Sequence, residues 1–370
     1  MSVAVYERDA SPTDRLEGYR IHLNPAGSRA LKACLPPQVW ESFVATAGEP
    51  GGLGFLTEQL SELVVINGDT MADPAQHGGK VTVFFDDGSC ASADLLVGAD
   101  GAGSVVRRQF LPHAQRVPTE ATATALRFPL TEQTRSWVPH RLATSMNMIV
   151  APDPFFLFTS VFQRRSESAE LVDTGRPYQS YILCAFVAHR SAYPRNVHDL
   201  DRRCLQHVIE AMTVGWHPDL RRLLAESDPD SVTLMRHKAS VPVPAWPRTN
   251  VTLLGDALHS MPPVGGLGGN AALRDANLLC ATLTAVRDDQ CALLPALHRY
   301  EAEMRTCGYA AVRTALHTQR QGLRSNHLTV AGTRAWFRAC NAVPALKRLN
   351  LPYRSQARPR TWERAASVQR

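Results

Sequence analysis

From Val251 to Asn270 the chain reads Val-Thr-Leu-Leu-Gly-Asp-Ala-Leu-His-Ser-Met-Pro-Pro-Val-Gly-Gly-Leu-Gly-Gly-Asn, and Ala271 to Cys280 continue it. This order predicts a buried strand, a Gly-Asp step, a turn, a glycine-rich loop and a helix. A strand end places Asp256 at the carboxyl edge of a sheet, where open α/β folds bind ligands. A carboxylate there can accept hydrogen bonds from a sugar-like hydroxyl chain. Glycines at 265, 266, 268 and 269 carry no side chain, so the backbone can approach a flat ligand closely. Asn270 is placed to cap the next helix, whose positive end favours negative charge on a ligand. A flexible strand–turn–helix would explain a bare Gly-Asp pair. It does not explain so long a run in a β-to-α setting.

Around this segment the texture changes twice. Residues Ser2 to Tyr6 are apolar and β-prone, which predicts a buried strand closed by the acid Glu7. A helix is predicted from Asn24-Pro25, with Asn as cap and Pro in the first turn. Val81 to Phe85 predicts a strand, Asp86-Asp87-Gly88 a turn, and Leu95-Leu96-Val97 the strand that runs into Gly98-Ala99-Asp100-Gly101. From Val117 to Arg236 short strands are predicted at Thr124 to Leu130, Phe155 to Phe162 and Tyr181 to Ala188, with helical spacing at Asp201 to Thr213. Past Pro247 the α/β character returns, and helices run through Glu301 and Arg320.

The 251–280 segment resembles the FAD-binding monooxygenases related to para-hydroxybenzoate hydroxylase. Their second flavin motif is matched by Gly255, Asp256, Ala257, His259, Pro262, Gly266, Gly268, Asn270, Asp275 and Ala276. The resemblance implies that Asp256 binds the ribityl chain of FAD. It implies that the loop through Pro263, Gly266, Gly268 and Gly269 borders the isoalloxazine, and that the helix dipole stabilises the reduced flavin. A second family motif, Asp-Gly-x-x-Ser-x-Val-Arg, is matched by Asp100, Gly101, Ser104, Val106 and Arg107. In the family this Asp-Gly pair helps hold FAD and is linked to nicotinamide-cofactor use; read alone, it is a surface turn capping a helix. Tyr300, Glu301, Met304 and Arg305 resemble the family's late helix. Glu7 matches the acid that holds the adenosine ribose, where the alternative is a solvated acid at a strand end. Gly18 and Arg20 fall in a loop that touches the cofactor in family members.

The departures from the family also shape the expectation. A dinucleotide fold opens with strand, G-x-G-x-x-G and helix, with the ribose acid about 20 residues past the glycines. Glu7 already stands where that acid belongs. No Arg-x-x-Leu helix is present where Gly68 to Gly79 runs. The expected fold is therefore α/β, with an incomplete Rossmann-like, doubly wound FAD-binding domain lacking its first strand and G-x-G-x-x-G. A sheet-rich substrate domain is inserted in it, and a helical region follows. The expected layout is 1–115 and 241–330 for the flavin domain, 116–240 for the sheet domain and 331–370 for a basic extension. An unpaired buried backbone group costs about 1–3 kcal/mol, against a total stability of about 5–15 kcal/mol. Such a gap could abolish flavin retention, and a misassigned start codon, a missed coding segment or a degenerate paralogue would each explain it.

Composition narrows the class. Hydrophobic residues make up 44% and charged residues 20%, which predicts a packed core. The net charge of +6 is spread along the chain except after Ala331, where nine Lys or Arg face the single acid Glu363. Without a motif that gathers this charge, nucleic acid is not expected as a partner. The eight cysteines form no C-x-x-C pair and the histidines show no ligand spacing, so no metal site is expected. No secretory signal and no apolar run of membrane-spanning length is present, and a cytoplasmic location is expected. His259 is read as a packing residue, and no side chain is assigned as catalytic. The Phe155, Phe156, Phe158 and Phe162 group suits core packing or a substrate pocket. The resemblance implies a monooxygenase in which NADPH or NADH reduces FAD and dioxygen supplies one oxygen atom to a small apolar or aromatic molecule, in secondary metabolism. A flavin-dependent reductase or dehydrogenase, and a non-catalytic remnant unable to hold FAD, stay open as alternatives.

Overall fold

The period-2 pattern of the middle region gives a sheet with two buried faces. The structure, a computed structural model, describes residues 3–7, 22–46, 53–66, 81–84, 90–163, 180–323 and 327–343. In chain order, α1 (Pro25–Cys34) and α2 (Pro37–Thr46) precede β1 (Leu53–Thr57), β2 (Glu62–Ile66), β3 (Val81–Phe84), β4 (Cys90–Ala93) and β5 (Leu96–Gly98). Next come α3 (Val105–Phe110), β6 (Arg116–Pro129), α4 (Glu132–Arg135), α5 (His140–Thr144), β7 (Met146–Val150), β8 (Phe155–Phe162) and β9 (Tyr181–His189). Helices α6 (Arg202–Met212) and α7 (Pro218–Ala225) lead to β10 (Asp228–Ser240) and β11 (Val251–Leu253). The last described elements are α8 (Asp256–His259), α9 (Leu267–Arg287), α10 (Leu293–Gly322) and α11 (His327–Ala342).

Seven strands form one sheet in the order β10-β6-β9-β8-β7-β1-β2. All neighbours are antiparallel except β1 and β7. Alternate residues of one strand point to opposite faces. Leu126, Phe128, Leu157, Ile182 and Phe186 pack on one face beneath Leu205 and Ile209 of α6 and Leu220 and Leu223 of α7. Each fully buried apolar side chain of this kind stabilises the fold by about 1.5–3 kcal/mol. On the other face Ala121, Ala123, Phe156 and Val187 meet Val264 and Leu323. That second face therefore touches the glycine-rich segment.

Strands β5 and β11 pair in parallel, from Val251 opposite Leu96 to Leu253 opposite Gly98. Strands β6 to β10, five of the seven in the large sheet, fall between them in sequence, while β1 and β2 precede β5. A Cβ on Gly98 would lie 2.6 Å from the Leu253 side chain and 2.9 Å from the Val106 Cβ, so a side chain there would force its neighbours to shift. The core of this half gathers Leu253, Leu258, Leu297, Tyr300, Met304 and Val312. Strands β3 and β4 form a separate hairpin.

Several expectations change. Residues 3–7 are not a strand, and Val3, Val5 and Tyr6 are 73%, 86% and 62% exposed. A strand is held by ladder bonds to a neighbour, and no described strand pairs with this stretch. Strands β1 and β2 fall within the expected first flavin segment, yet they pair in the large sheet beside β7. The tail expected to be a basic extension begins with α11. This helix packs Phe337 against Phe55 with the rings tilted and sends Arg334 to the Glu58 carboxylate and the Val150 carbonyl. The Asp86-Asp87-Gly88 turn and the Gly68 to Gly79 run lie outside the described residues.

Candidate cofactor site

The two carboxylates singled out by sequence leave the same sheet edge. Leu253 pairs with Gly98, and the Leu254 N–H donates to the Gly98 carbonyl at 3.1 Å. Asp100 and Asp256 follow these strand ends directly. Gly255 turns the chain with φ of 61°, and a Cβ on it would sit 2.6 Å from that of Ala272. Glycine is required twice over, by conformation and by space.

Asp256 opens α8 and is half-buried. It accepts no hydrogen bond from any described residue. Burial pushes its pKa up, and the charges of His259 and Arg116 pull it back only in part. One carboxylate oxygen stands 3.6 Å from where a Cβ on Gly268 would be, so the group faces the glycine loop. A carboxylate removed from water with its lone pairs unfilled is a ready acceptor for donors brought by a ligand.

Beneath it lies a polar network. His259 is fully buried, and its Nε2 meets Asp275 Oδ2 at 2.5 Å. The same oxygen accepts the Gly255 N–H at 3.0 Å. Burial works against charge on His259, but the Asp275 bond and charge outweigh it and raise its pKa. A Cβ on Gly308 would lie 2.2 Å from the imidazole, so α10 carries glycine where the ring packs. The Tyr300 hydroxyl donates to the Leu253 carbonyl at 3.0 Å, and the Thr252 hydroxyl donates to Glu301 at 3.0 Å. His259 thus holds the Gly-Asp turn through Asp275, in keeping with its reading as a packing residue.

The loop that follows has Gly265 and Gly266 at φ of 82° and 62°. Gly266 occupies the N-cap of α9, and no side chain caps this 21-residue helix. Asn270 is therefore not the cap expected from sequence. It lies one turn into α9, where its amide donates to the Gly266 and His22 carbonyls at 2.7 Å each and accepts the Asn24 N–H at 2.9 Å. Asn24 caps α1 as expected, accepting from the N–H groups of Ala26 and Gly27. Asn270 thus fastens the start of α1 to the start of α9. Gly27 permits this, because a Cβ there would meet the Asn270 oxygen at 2.0 Å.

Asp100 is exposed and caps α3, accepting from the N–H groups of Val105 at 2.6 Å and Val106 at 3.1 Å. Partial burial raises its pKa, but the bonds from Ser104, Val106 and Val105 outweigh that and hold it below the usual carboxylate range. Gly101, at φ of 71°, leaves open space where a side chain would stand. Arg107 is buried and donates to the Ala257 carbonyl at 2.8 Å, tying the two motifs together. Arg116, at the start of β6, donates to the Ala102 carbonyl at 3.0 Å.

The structure therefore brings Asp100, Gly101, Gly255, Asp256, Gly266, Gly268 and Asn270 together through these contacts. Gly269 stands in the first turn of α9, and Pro263 is exposed in the turn before it. Glu7 is exposed in the stretch 3–7. Gly18 and Arg20 lie outside the described residues. Arg116, His22 and Asn24 complete the cluster without having been singled out as site residues. Asp275 and Arg107 stood within the motifs, yet their structural roles depend on partners far along the chain. Among the described residues no group of three His, Cys, Asp or Glu could hold a metal ion. No described helix is long and apolar enough to cross a membrane.

Known proteins are similar to this chain. The dual O-methyltransferase/FAD-dependent monooxygenase elcB of Phaeosphaeria nodorum is 26% identical over 347 residues, covering 74% of this chain and 36% of that protein. An FAD-dependent urate hydroxylase of Klebsiella pneumoniae is 30% identical over 223 residues, covering 60% of this chain and 50% of that protein. The chain thus spans half or less of the length of these curated relatives. A crystal structure from Photorhabdus luminescens, described as an FAD containing monooxygenase, superposes with a TM-score of 0.71 at 28% identity, covering 82% of this chain and 87% of that one. The family model described as FAD binding domain matches residues 71–315, more than half of the 370. By that match, and by the two strand-end motifs it encloses, the chain belongs to the FAD binding domain family.

Proposed function

We propose that this chain holds FAD against the 255–270 loop and acts as a monooxygenase on a small apolar or aromatic molecule, with NADPH or NADH as reductant and dioxygen as oxidant. The observation that carries the reading is Asp256, a half-buried carboxylate without a described hydrogen-bond donor, beside an α9 N-terminus without a side-chain cap. These residues fit the cofactor. Asp256 would accept from the ribityl hydroxyls. The backbone from Pro263 to Gly269 would border the ring. The open end of α9 would favour negative charge on the ring edge nearest it. Asp100 and Gly101 would stand at the neighbouring strand end, with Glu7, Gly18 and Arg20 toward the adenosine half. When bound, FAD supplies the electron transfer and oxygen activation, and the protein supplies orientation and exclusion of water.

The second face of the large sheet, with Ala121, Ala123, Phe156 and Val187 against Val264, favours an apolar substrate. Under this reading 1–115 and 241–330 form the flavin domain, with 53–66 lent to the sheet, and 116–240 forms the substrate domain. The relatives named as monooxygenases support the same chemistry. The test is to load the purified protein with FAD, add NADPH or NADH with a panel of aromatic acids and phenols, and follow oxygen uptake and product mass. A product carrying one atom from isotopically labelled dioxygen is expected. Reduction of an artificial acceptor without oxygen incorporation would favour the reductase. Absence of any flavin binding would favour the remnant.

A further inference from the structure

We propose that Cys34 and Cys280 form a reversible disulfide site that fastens α1 to α9 behind the cofactor loop. Cys34 is the last residue of α1 and Cys280 lies in the middle of α9. Their sulfurs stand 3.9 Å apart, although the residues are 246 positions apart in sequence. The helices are registered independently of the sulfurs. At the other end of the contact Asn270 binds Asn24 and His22, and Gly27 packs on the Asn270 side chain. Packing therefore brings the thiols together. Both are half-buried, which leaves them reachable, whereas Cys184 and Cys340 are fully buried. Closing the gap to a bond of about 2.05 Å requires side-chain rotation at both residues.

The two thiols have different roles. The Cys34 S–H donates to the Cys280 sulfur, and this lowers the Cys280 pKa to about 7 despite the opposing effect of burial. Cys280 therefore carries a substantial thiolate fraction near neutrality and is the nucleophile. The oxidant is a hydroperoxide. The Cys280 thiolate attacks its terminal oxygen, the O–O bond breaks, and the alcohol leaves with a proton while Cys280 becomes a sulfenic acid. The Cys34 sulfur then attacks the Cys280 sulfur, loses its proton, and expels water. Two thiols lose two electrons in all, and the peroxide is reduced to alcohol and water. The new bond closes a loop of most of the described chain and stabilises the folded state chiefly by restricting the unfolded one.

The site does not depend on the flavin reading, and the experiment is done on the full chain without added flavin. The protein is treated with graded hydrogen peroxide, blocked with iodoacetamide and digested without reductant for mass spectrometry. A Cys34–Cys280 cross-linked peptide is expected to form before any other cysteine product, to vanish with dithiothreitol, and to raise the melting temperature by several degrees. In Cys34→Ser, where the resolving thiol is gone, dimedone should trap a sulfenic acid at Cys280 and no melting shift should follow oxidation. Prior oxidation of another cysteine, or a Cys280 that neither cross-links nor reacts with dimedone, would overturn the proposal.

Discussion

Replacing Glu301 by glutamine tests whether the carboxyl beneath β11 is kept neutral by its surroundings. Glu301 is 2% exposed and accepts a hydrogen bond from the Thr252 hydroxyl at 3.0 Å. Burial raises its pKa from the ordinary 4.5 to about 7, and the Thr252 hydroxyl, the Trp246 indole and the Arg305 charge offset only part of this. Between these values the folded protein binds more protons than the unfolded chain. The resulting stability is fully present below pH 4.5 and is lost as pH rises through about 7. A span of about 2.5 pH units, at about 1.36 kcal/mol each, amounts to about 3 kcal/mol. Glutamine keeps the shape and an acceptor for Thr252 but does not titrate. Glu301→Gln should therefore match the wild type in urea unfolding at acid pH and exceed it by about 3 kcal/mol above neutrality. A difference between the two proteins that does not change with pH would refute the reasoning. So would a variant that falls below the wild type as pH rises, since that would mean the charged carboxylate stabilises the fold.

Three more outcomes follow from the polar contacts around the site. Asp275→Asn removes the carboxylate that pairs with the fully buried His259 ring and should cost about 3–5 kcal/mol where that ring is protonated. Because the His259 pKa is raised, the wild-type advantage should be full below the unfolded histidine value and shrink as pH rises through the folded one, which denaturant midpoints across pH will show. Gly308→Ala drives a methyl into the His259 ring and should lower stability by about 1–3 kcal/mol, read by thermal unfolding. Asn270→Ala removes three hydrogen bonds, at about 0.5–1.5 kcal/mol each. Limited proteolysis should then cut the 22–27 segment sooner than in the wild type, and an unchanged cleavage rate would count against the Asn270 link.

Much of the site was legible because its determinants are local. The 251–280 run carried its own strand, turn and helix, and Asn24-Pro25 carried its own cap. Strands β8 and β9 followed from a period of two with β-branched and aromatic residues. What was not legible depends on partners distant in sequence. The Gly54-containing β1 becomes a strand by pairing with β7, 93 positions away, and β2 by pairing with β1. Charged, irregular β10 is a strand because β6 supplies its ladder. Asn270 resembles a cap in sequence, and only the return of His22 and Asn24 gives it three partners. Arg334 reads as one more tail cation until Glu58 is placed beside it. Apolar residues 3–5 read as a strand because composition alone does not reveal whether a neighbour is there to pair with them.

The most direct measurement is a fluorescence titration of the purified protein with FAD, run in parallel on Asp256→Ala. A carboxylate accepting from flavin hydroxyls contributes about 1.5–3 kcal/mol, so the wild type should bind saturably and the variant should bind some 10- to 100-fold more weakly, with its far-ultraviolet circular dichroism unchanged. Equal affinity in the two proteins, or a wild type that takes up no FAD, would contradict the assignment of this loop.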